Sequence, residues 1–409
     1  MKKIKLFLIA LVAMCGFSAC EKDCDHNFIE VDYTKALVGT WTCLQNGYAE
    51  ALVISADGSA VSTGIEDGEY WDGIKGNIKT INNKMTMTFE DGDNWEGRFE
   101  MLSGEAFTIF EENGETFTYR FCKEDLSKEI VGMWISMDKA FGNEEESVII
   151  FTYDENGKTY FTGFAPEIDG YFTQAESNYK IIGDLKISSV EGDSNMPTKY
   201  MINRINIIPN GTEYGDIMTT HDMTYGTTPT FLRIRQSLDL PGQKYDYIKT
   251  FVSNVKGLDK DIEFMGTTFN FAKMDGVKLD KMLKTLLFNV EFPDANTIKY
   301  GCHYNNEPMS MQAPIVVDGN KMTVKMSQKN AAYKDVDLYT FQDQDNTQMH
   351  MYMHSTAFVN FFGNMQITMM EQMGQLDLND AAAVKAVFDS IDEAVETINV
   401  SFVMTKAAK

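Results

Sequence analysis

A five-residue phrase occurs twice in this chain and constrains its fold more than any other feature. Leu37-Val38-Gly39-Thr40-Trp41 returns 93 residues later as Ile130-Val131-Gly132-Met133-Trp134. Each copy opens a long run of short alternating segments, as the first strand of a β-barrel would. Glycine lets two backbones approach closely, and tryptophan is large enough to plug the end of a barrel. The phrase therefore predicts two tandem barrels, over residues 33–123 and 124–240.

The segments after each copy have strand periodicity and end in turn chemistry. Ala51 to Ile54 precedes Asp57-Gly58, Met85-Thr86-Met87-Thr88-Phe89 precedes Asp91-Gly92, and Phe107 to Phe110 precedes Asn113-Gly114. After the second copy, Val148 to Tyr153 meets Asn156-Gly157 and returns as Lys158 to Thr162. Asn-Gly and Asp-Gly between alternating apolar runs are strong hairpin signals, and such meanders close on themselves.

Pro241-Gly242 breaks this pattern, and no third Gly-x-Trp follows. Tyr245 to Val255 reads as an amphipathic helix, with Ile248, Phe251, Val252 and Val255 on one face. Ile315 to Met326 reads as a hairpin about Asp318-Gly319-Asn320, with further strands at Val336–Phe341 and Met349–Met353. The period then lengthens to that of a helix. One helix is expected over Thr356–Gln372. A second is expected over Asp380–Thr397, capped by Asn379 or Asp380, before a last strand at Val400–Met404. Residues 241–409 thus form an α+β section, either a third, diverged barrel or a differently built domain. The fold class is mainly β, in tandem antiparallel barrels with helices added in the C-terminal section.

The N-terminus has the parts of a secretion signal over residues 1–19: Lys2, Lys3 and Lys5, an apolar run from Leu6 to Met14, and Gly16 to Ala19 before Cys20. That run is about half the ~20 residues needed to cross a bilayer. A polar tether, 20–32, follows. The chain has 60 acidic against 36 basic residues, a net charge of −24. Such a surface repels nucleic acid and anionic headgroups, so nucleic acid is excluded as a partner.

Phe17-Ser18-Ala19-Cys20 resembles a bacterial lipobox, with Phe17 where leucine is usual. With the twin Gly-x-Trp openings, the meanders and the helix-then-strand ending, the chain resembles the lipocalin-like lipoproteins of Bacteroidetes. The resemblance implies lipid on Cys20, cell-envelope localisation at the outer membrane on its periplasmic or cell-surface face, and eight-stranded barrels able to hold a small apolar ligand. Glu21-Lys22-Asp23 is similar to the surface-export signal of those lipoproteins. Gly-x-Trp carries the resemblance only for residues 33–240.

Cys43 falls in the first strand of barrel one and Cys122 in its last, and these strands are neighbours in a closed barrel. They are either a disulfide or two buried thiols. Met349-His350-Met351-Tyr352-Met353-His354 places three methionines on one strand face and His/Tyr on the other. The two histidines are about 13 Å apart along such a strand, too far to share a metal. Core or cavity lining is therefore expected rather than a soft-metal site. Candidate ligand-lining residues are Met322, Met326, Met349, Met351, Met353, Phe358, Phe362 and Met365, with Met311 and Met369 beside them. The acidic runs Glu66-Asp67-Glu69-Asp72 and Glu90-Asp91-Asp93-Glu96 fit hairpin turns better than a calcium loop. There is no Gly-x-Ser-x-Gly, His-Glu-x-x-His or phosphate loop, and no cofactor motif. The expected function is non-enzymatic: a lipid-anchored protein taking a small hydrophobic ligand in its C-terminal section. The alternative is an interaction or structural module with filled barrels and an unspecified protein partner.

Overall fold

The computed structural model describes residues 30–407 except 46, 137–148, 166–169, 193–197, 213–214, 223–227, 258, 265–266, 274–286 and 305–306. Cys20, the signal segment and the tether up to residue 29 lie outside the described residues. Among the described residues, three closed eight-stranded antiparallel barrels follow one another along the chain, with two helices added to the third.

Barrel one is an unbroken meander of β1 (Gly39–Gln45), β2 (Tyr48–Ile54), β3 (Ser59–Glu66), β4 (Glu69–Ile81), β5 (Lys84–Phe89), β6 (Asn94–Ser103), β7 (Ala106–Phe110) and β8 (Thr116–Cys122). A short 3-10 turn, Thr34–Leu37, leads into it. Barrel two repeats the plan with β9 (Gly132–Ser136), β10 (Ile150–Tyr153), β11 (Lys158–Ala165), β12 (Gly170–Ile182), β13 (Leu185–Val190), β14 (Lys199–Thr212), β15 (Gly215–Asp222) and β16 (Thr230–Ile234).

The repeated phrase does the same work in both barrels. Trp41 and Trp134 are fully buried, and each indole N–H donates to the carbonyl four residues earlier, Leu37 at 2.6 Å and Ile130 at 2.7 Å. The last strand places one residue opposite each tryptophan: Phe121 faces Trp41, and Arg233 faces Trp134. Phe121 meets Trp41 edge-on at 5.1 Å, and the Arg233 guanidinium lies 4.3 Å over the Trp134 ring. The glycines make room for these covers. A Cβ on Gly39 would lie 2.4 Å from the Phe121 ring, and one on Gly132 would lie 3.2 Å from Arg233 Nη1. Both glycines also have φ near +130°, which side-chain-bearing residues rarely adopt.

Barrel three joins β17 (Gln243–Gly257), β20 (Leu287–Asp294), β21 (Thr297–Tyr304), β22 (Glu307–Asp318), β23 (Lys321–Val324), β24 (Val336–Gln342), β25 (Gln348–Met353) and β26 (Val395–Lys406). A separate hairpin, β18 (Asp261–Phe264) with β19 (Thr267–Asn270), stands outside it. The helices are α1 (Ser355–Gln372) and α2 (Ala381–Asp392).

Two expectations are corrected here. Residues 245–255 form β17, not a helix. The pairing of β17 with β26 shifts register after Tyr247, after Ser253 and after Lys256. Each irregularity moves the side-chain alternation by one residue, so a period of two, broken this way, imitates a period near 3.6. The second helix ends at Asp392, and Val395 already belongs to β26. Asp380 is its cap, accepting from the Ala382 and Ala383 backbone N–H groups. Tyr245 stands in the core of barrel three, fully buried, where the missing tryptophan would be expected. Its hydroxyl joins Asn346 and Gln342, which in turn holds the backbone N–H and carbonyl of Asp239. The chain entering barrel three is thereby tied to the β24–β25 turn.

The barrels pack directly on one another. Between the first two, Ala49 and Ala51 meet Leu185, Ile187 and Ile202, and Tyr70 stacks on Tyr200 at 4.0 Å. Asp184 receives Thr42 Oγ1 at 2.6 Å and pairs with Arg204 Nε at 2.9 Å. Between the second and third, Ile135, Ile150, Leu232 and Ile234 pack against Tyr339, Phe341 and Tyr352.

Candidate functional site

The interior of barrel one is packed with its own side chains. In barrel one the interior holds Trp41, Met85, Met87, Phe99, Phe107 and Tyr119, with Phe107 and Tyr119 stacked at 4.8 Å. Its polar element is Glu50, buried and accepting from the hydroxyls of Tyr48 at 2.6 Å, Ser62 at 2.5 Å and Tyr119. Burial and the adjacent carboxylate push both tyrosine hydroxyls well above their usual range, so they remain donors.

Cys43 and Cys122 are free thiols. The strand neighbourhood expected from sequence is correct, since β1 pairs with β8. The faces differ. Cys122 lies opposite Thr40, outside the barrel, and its thiol reaches Asp184 of barrel two at 3.3 Å. Cys43 shares the inward face of Trp41 and belongs to the core. A disulfide needs both sulfurs on one side of the sheet. Burial, then Glu50, pushes the Cys43 thiol up to about 12. Burial also pushes Cys122 up to about 11, with the Thr42 hydroxyl working against it.

The acidic runs are hairpin turns. Asp91 accepts from the Asp93 backbone N–H at 3.1 Å, Glu96 pairs with Lys84, and Asp72 pairs with Lys180 of barrel two at 2.6 Å. Among the described residues, no three His, Cys, Asp or Glu side chains are grouped so as to hold a metal ion.

Barrel three contains a narrow apolar cavity of about 50 Å³. Val290, Ile298, Val324, Val336, Leu338 and Phe402 form its aliphatic and aromatic wall. Five methionines complete it: Met311 from β22, Met326 after β23, Met351 and Met353 from β25, and Met365 from α1. Phe361 and Asn364 of α1 close the top. The Asn364 amide is spent on the Lys334 backbone, accepting at 2.9 Å and donating at 2.7 Å, so it brings no unmet polar demand into the space. α2 holds α1 in place through Phe388. A Cβ at Gly363 would lie 2.3 Å from that ring, so only glycine permits this approach.

Among the sequence-named candidates, Met326, Met351, Met353 and Met365 line the cavity, as does Met311. Met322, Met349, Phe358 and Phe362 are buried in the surrounding core but do not reach the space. Met369 is half-buried on α1 and lies outside the wall. The wall residues of β20, β21, β24 and β26 were not singled out from sequence. Nothing distinguishes a core valine from a cavity valine until the strands are placed around one another.

The opposite face of β25 carries His350 and Tyr352, as its alternation requires. His350 and Tyr352 do point out of the barrel, yet they are buried there, at 1% and 6% exposure, because barrel two covers them. His350 stacks on Phe341 at 4.7 Å. His354 ends the strand buried, its Nδ1 2.5 Å from Asn399 Oδ1.

The sequence matches no protein-family model and no curated protein. Among solved structures, it aligns with transferrin-binding protein B from Haemophilus parasuis at 11% identity and a TM-score of 0.22. It aligns with the isotype 1 protein of that name from Neisseria meningitidis at 9% identity and a TM-score of 0.20. Each alignment covers 88% of this chain and 66% of the other. A DnaN sliding clamp from Pseudomonas aeruginosa bound to griselimycin aligns at 7% identity and a TM-score of 0.13, over 91% of this chain and 92% of that one. Superpositions this loose transfer no activity and no partner.

Proposed function

We propose that this is a lipid-anchored cell-envelope protein, not an enzyme, whose third barrel takes up a compact apolar molecule. The observation that carries the reading is the narrow apolar cavity lined by five methionines. A cavity of ~150 Å³ takes benzene, so the resting space is about a third of that size. Methionine is unbranched with three rotatable bonds, and rearranging a few of these side chains enlarges the space without moving a strand. The unfilled space itself costs on the order of 1 kcal/mol at ~24 cal/mol per Å³, which an occupant recovers. The anchor rests on Phe17-Ser18-Ala19-Cys20 and the preceding signal segment. Anchoring would place the barrels at the outer membrane, on the periplasmic or cell-surface face.

The test is a titration of benzene into protein carrying 13C-methyl methionine. Shifts at Met351, Met353 and Met365, abolished by the cavity-filling variant Val324→Phe, support the reading. Unmoved methyls, together with no apolar molecule carried along in native mass spectra, would falsify it. Palmitate labelling of wild type and Cys20→Ala tests the anchor, and equal labelling removes it. A second reading is favoured by the packed interior of barrel one and the buried contacts joining all three. Under it, the chain is a rigid module that presents a protein-binding surface, and the benzene titration gives no methyl shifts.

A further inference from the structure

The wall of barrel three has a gap beside the cavity. β22 pairs with β21 over its first eight residues, from Tyr304↔Glu307 to Thr297↔Pro314. On its other side it pairs with β23 only from Ile315 to Asp318, and the last bond there joins Lys325 N–H to the Pro314 carbonyl. From residue 307 to 313, therefore, no described strand bonds that edge of β22. The chain from Met326 to Asp335 turns away instead, and the edge faces the C-terminal half of α1.

A solvent-open groove of about 530 Å³ lies in this gap. Its walls carry Gln312, Lys329, Asn330, Thr368, Glu371 and Gln372, a polar set with both donors and acceptors. Met311 belongs to the wall of this groove and also to the wall of the apolar cavity. It is half-buried, and it stands in the middle of the unpaired stretch. A flexible thioether thus stands between a polar, solvent-open space and a narrow apolar one. Its neighbours Ser310 and Gln312 are exposed, as the strand alternation requires.

We propose that Met311 is a lateral gate, and that the ligand is a single-chain amphiphile whose alkyl tail enters past Met311 while its small polar head stays in the groove. This rests on the reading of the cavity as an apolar binding site and adds its entrance and the chemistry of its occupant. The cavity favours apolar matter, because its wall is apolar apart from Tyr300 and the Asn364 amide, which is engaged by the Lys334 backbone. The groove offers a head the hydrogen bonds it would otherwise lose on leaving water. Rotation of one methionine side chain joins the two spaces, with no change in barrel pairing.

The test compares n-octanol with benzene on the full chain, following methionine methyls and backbone amides by NMR. n-Octanol is expected to move the Met351 and Met353 methyls together with the Ser310 and Gln312 amides. Benzene, which has no head, is expected to move the methyls alone. Met311→Trp closes the partition and lowers n-octanol affinity at least about tenfold. Met311→Ala opens it and speeds exchange, which keeps the proposal testable if the tryptophan variant fails to fold. Methyl shifts without groove amide shifts overturn the head placement. An affinity of Met311→Trp within about twofold of wild type overturns the gate. Benzene binding without n-octanol binding leaves the cavity reading intact and overturns this proposal. Binding of neither probe, in wild type and in Met311→Ala, overturns both.

Discussion

Replacing Trp41 measures how much the repeated phrase contributes to barrel one. Trp41 is fully buried, packed edge-on between Phe107 at 4.9 Å and Phe121 at 5.1 Å, and its indole N–H satisfies the Leu37 carbonyl. Trp41→Ala removes the ring and leaves a cavity, costing about 3–5 kcal/mol. It also strands the buried Leu37 carbonyl, worth about 1–3 kcal/mol. Trp41→Phe keeps much of the ring and loses the donor, so about 1–3 kcal/mol is expected. Against a domain stability of ~5–15 kcal/mol, the alanine variant brings barrel one close to unfolding. Three cores need not unfold together, so a local readout is required. Hydrogen exchange by mass spectrometry, resolved by peptide, should show β1 to β8 losing protection. Barrel two should change less, through the Ala49–Leu185 contact, and barrel three least. Equal costs for Trp41→Ala and Trp41→Phe would refute the plug argument. So would a loss below ~1 kcal/mol for alanine, or a loss spread evenly over all three barrels.

Three further outcomes follow from the geometry. The intact mass of purified protein should show no bond between Cys43 and Cys122, and alkylation of both at pH near 8 should be slow until the chain is denatured, since both thiols are pushed well above that pH. Gln342→Leu removes the partner of the Asp239 backbone N–H and carbonyl and one of two partners of the Tyr245 hydroxyl, and should cost barrel three about 2–4 kcal/mol in denaturant unfolding followed within β24 and β25. Asp335 gives a pH dependence. Burial opposes its charge, but hydrogen bonds from Ser327 and Lys325 outweigh that and hold its carboxyl below the usual range. The stabilisation is therefore present above the unfolded-state value and lost as pH falls through the folded one. Its backbone carbonyl accepts from Asn360, so acidification should loosen α1 first; Asp335→Asn should lower the melting temperature at neutral pH and flatten its acid-side decline, and an unchanged decline would exclude this residue.

Some of this molecule is local and some is not. Gly39, Trp41, Gly132 and Trp134 announce two barrels because a positive φ and a buried indole are demands that few residues meet. The Asp-Gly and Asn-Gly turns set the hairpins for the same reason. Asp380 caps α2 through bonds to the next turn, which is again a local matter. β17 was illegible because its bulges depend on how β26 lies beside it, and those irregularities erase the alternation that marks a strand. The third plug, Tyr245, was missed because its role depends on Gln342 and Asn346, about a hundred positions away.

The sequence alone determined the repeated architecture, the strand-rich composition and the methionine-bearing face of β25. These follow from backbone preference and periodicity, which act over a few residues. Only the tertiary structure decided which of those methionines meet an empty space, that Cys43 and Cys122 face opposite ways, and that His350 and Tyr352 lie against another barrel rather than water. It also decided that, among the described residues, β22 has no second strand beside Met311. Each of these depends on which segments meet across the fold, and packing distances between remote segments are not written into the spacing of residues along a chain.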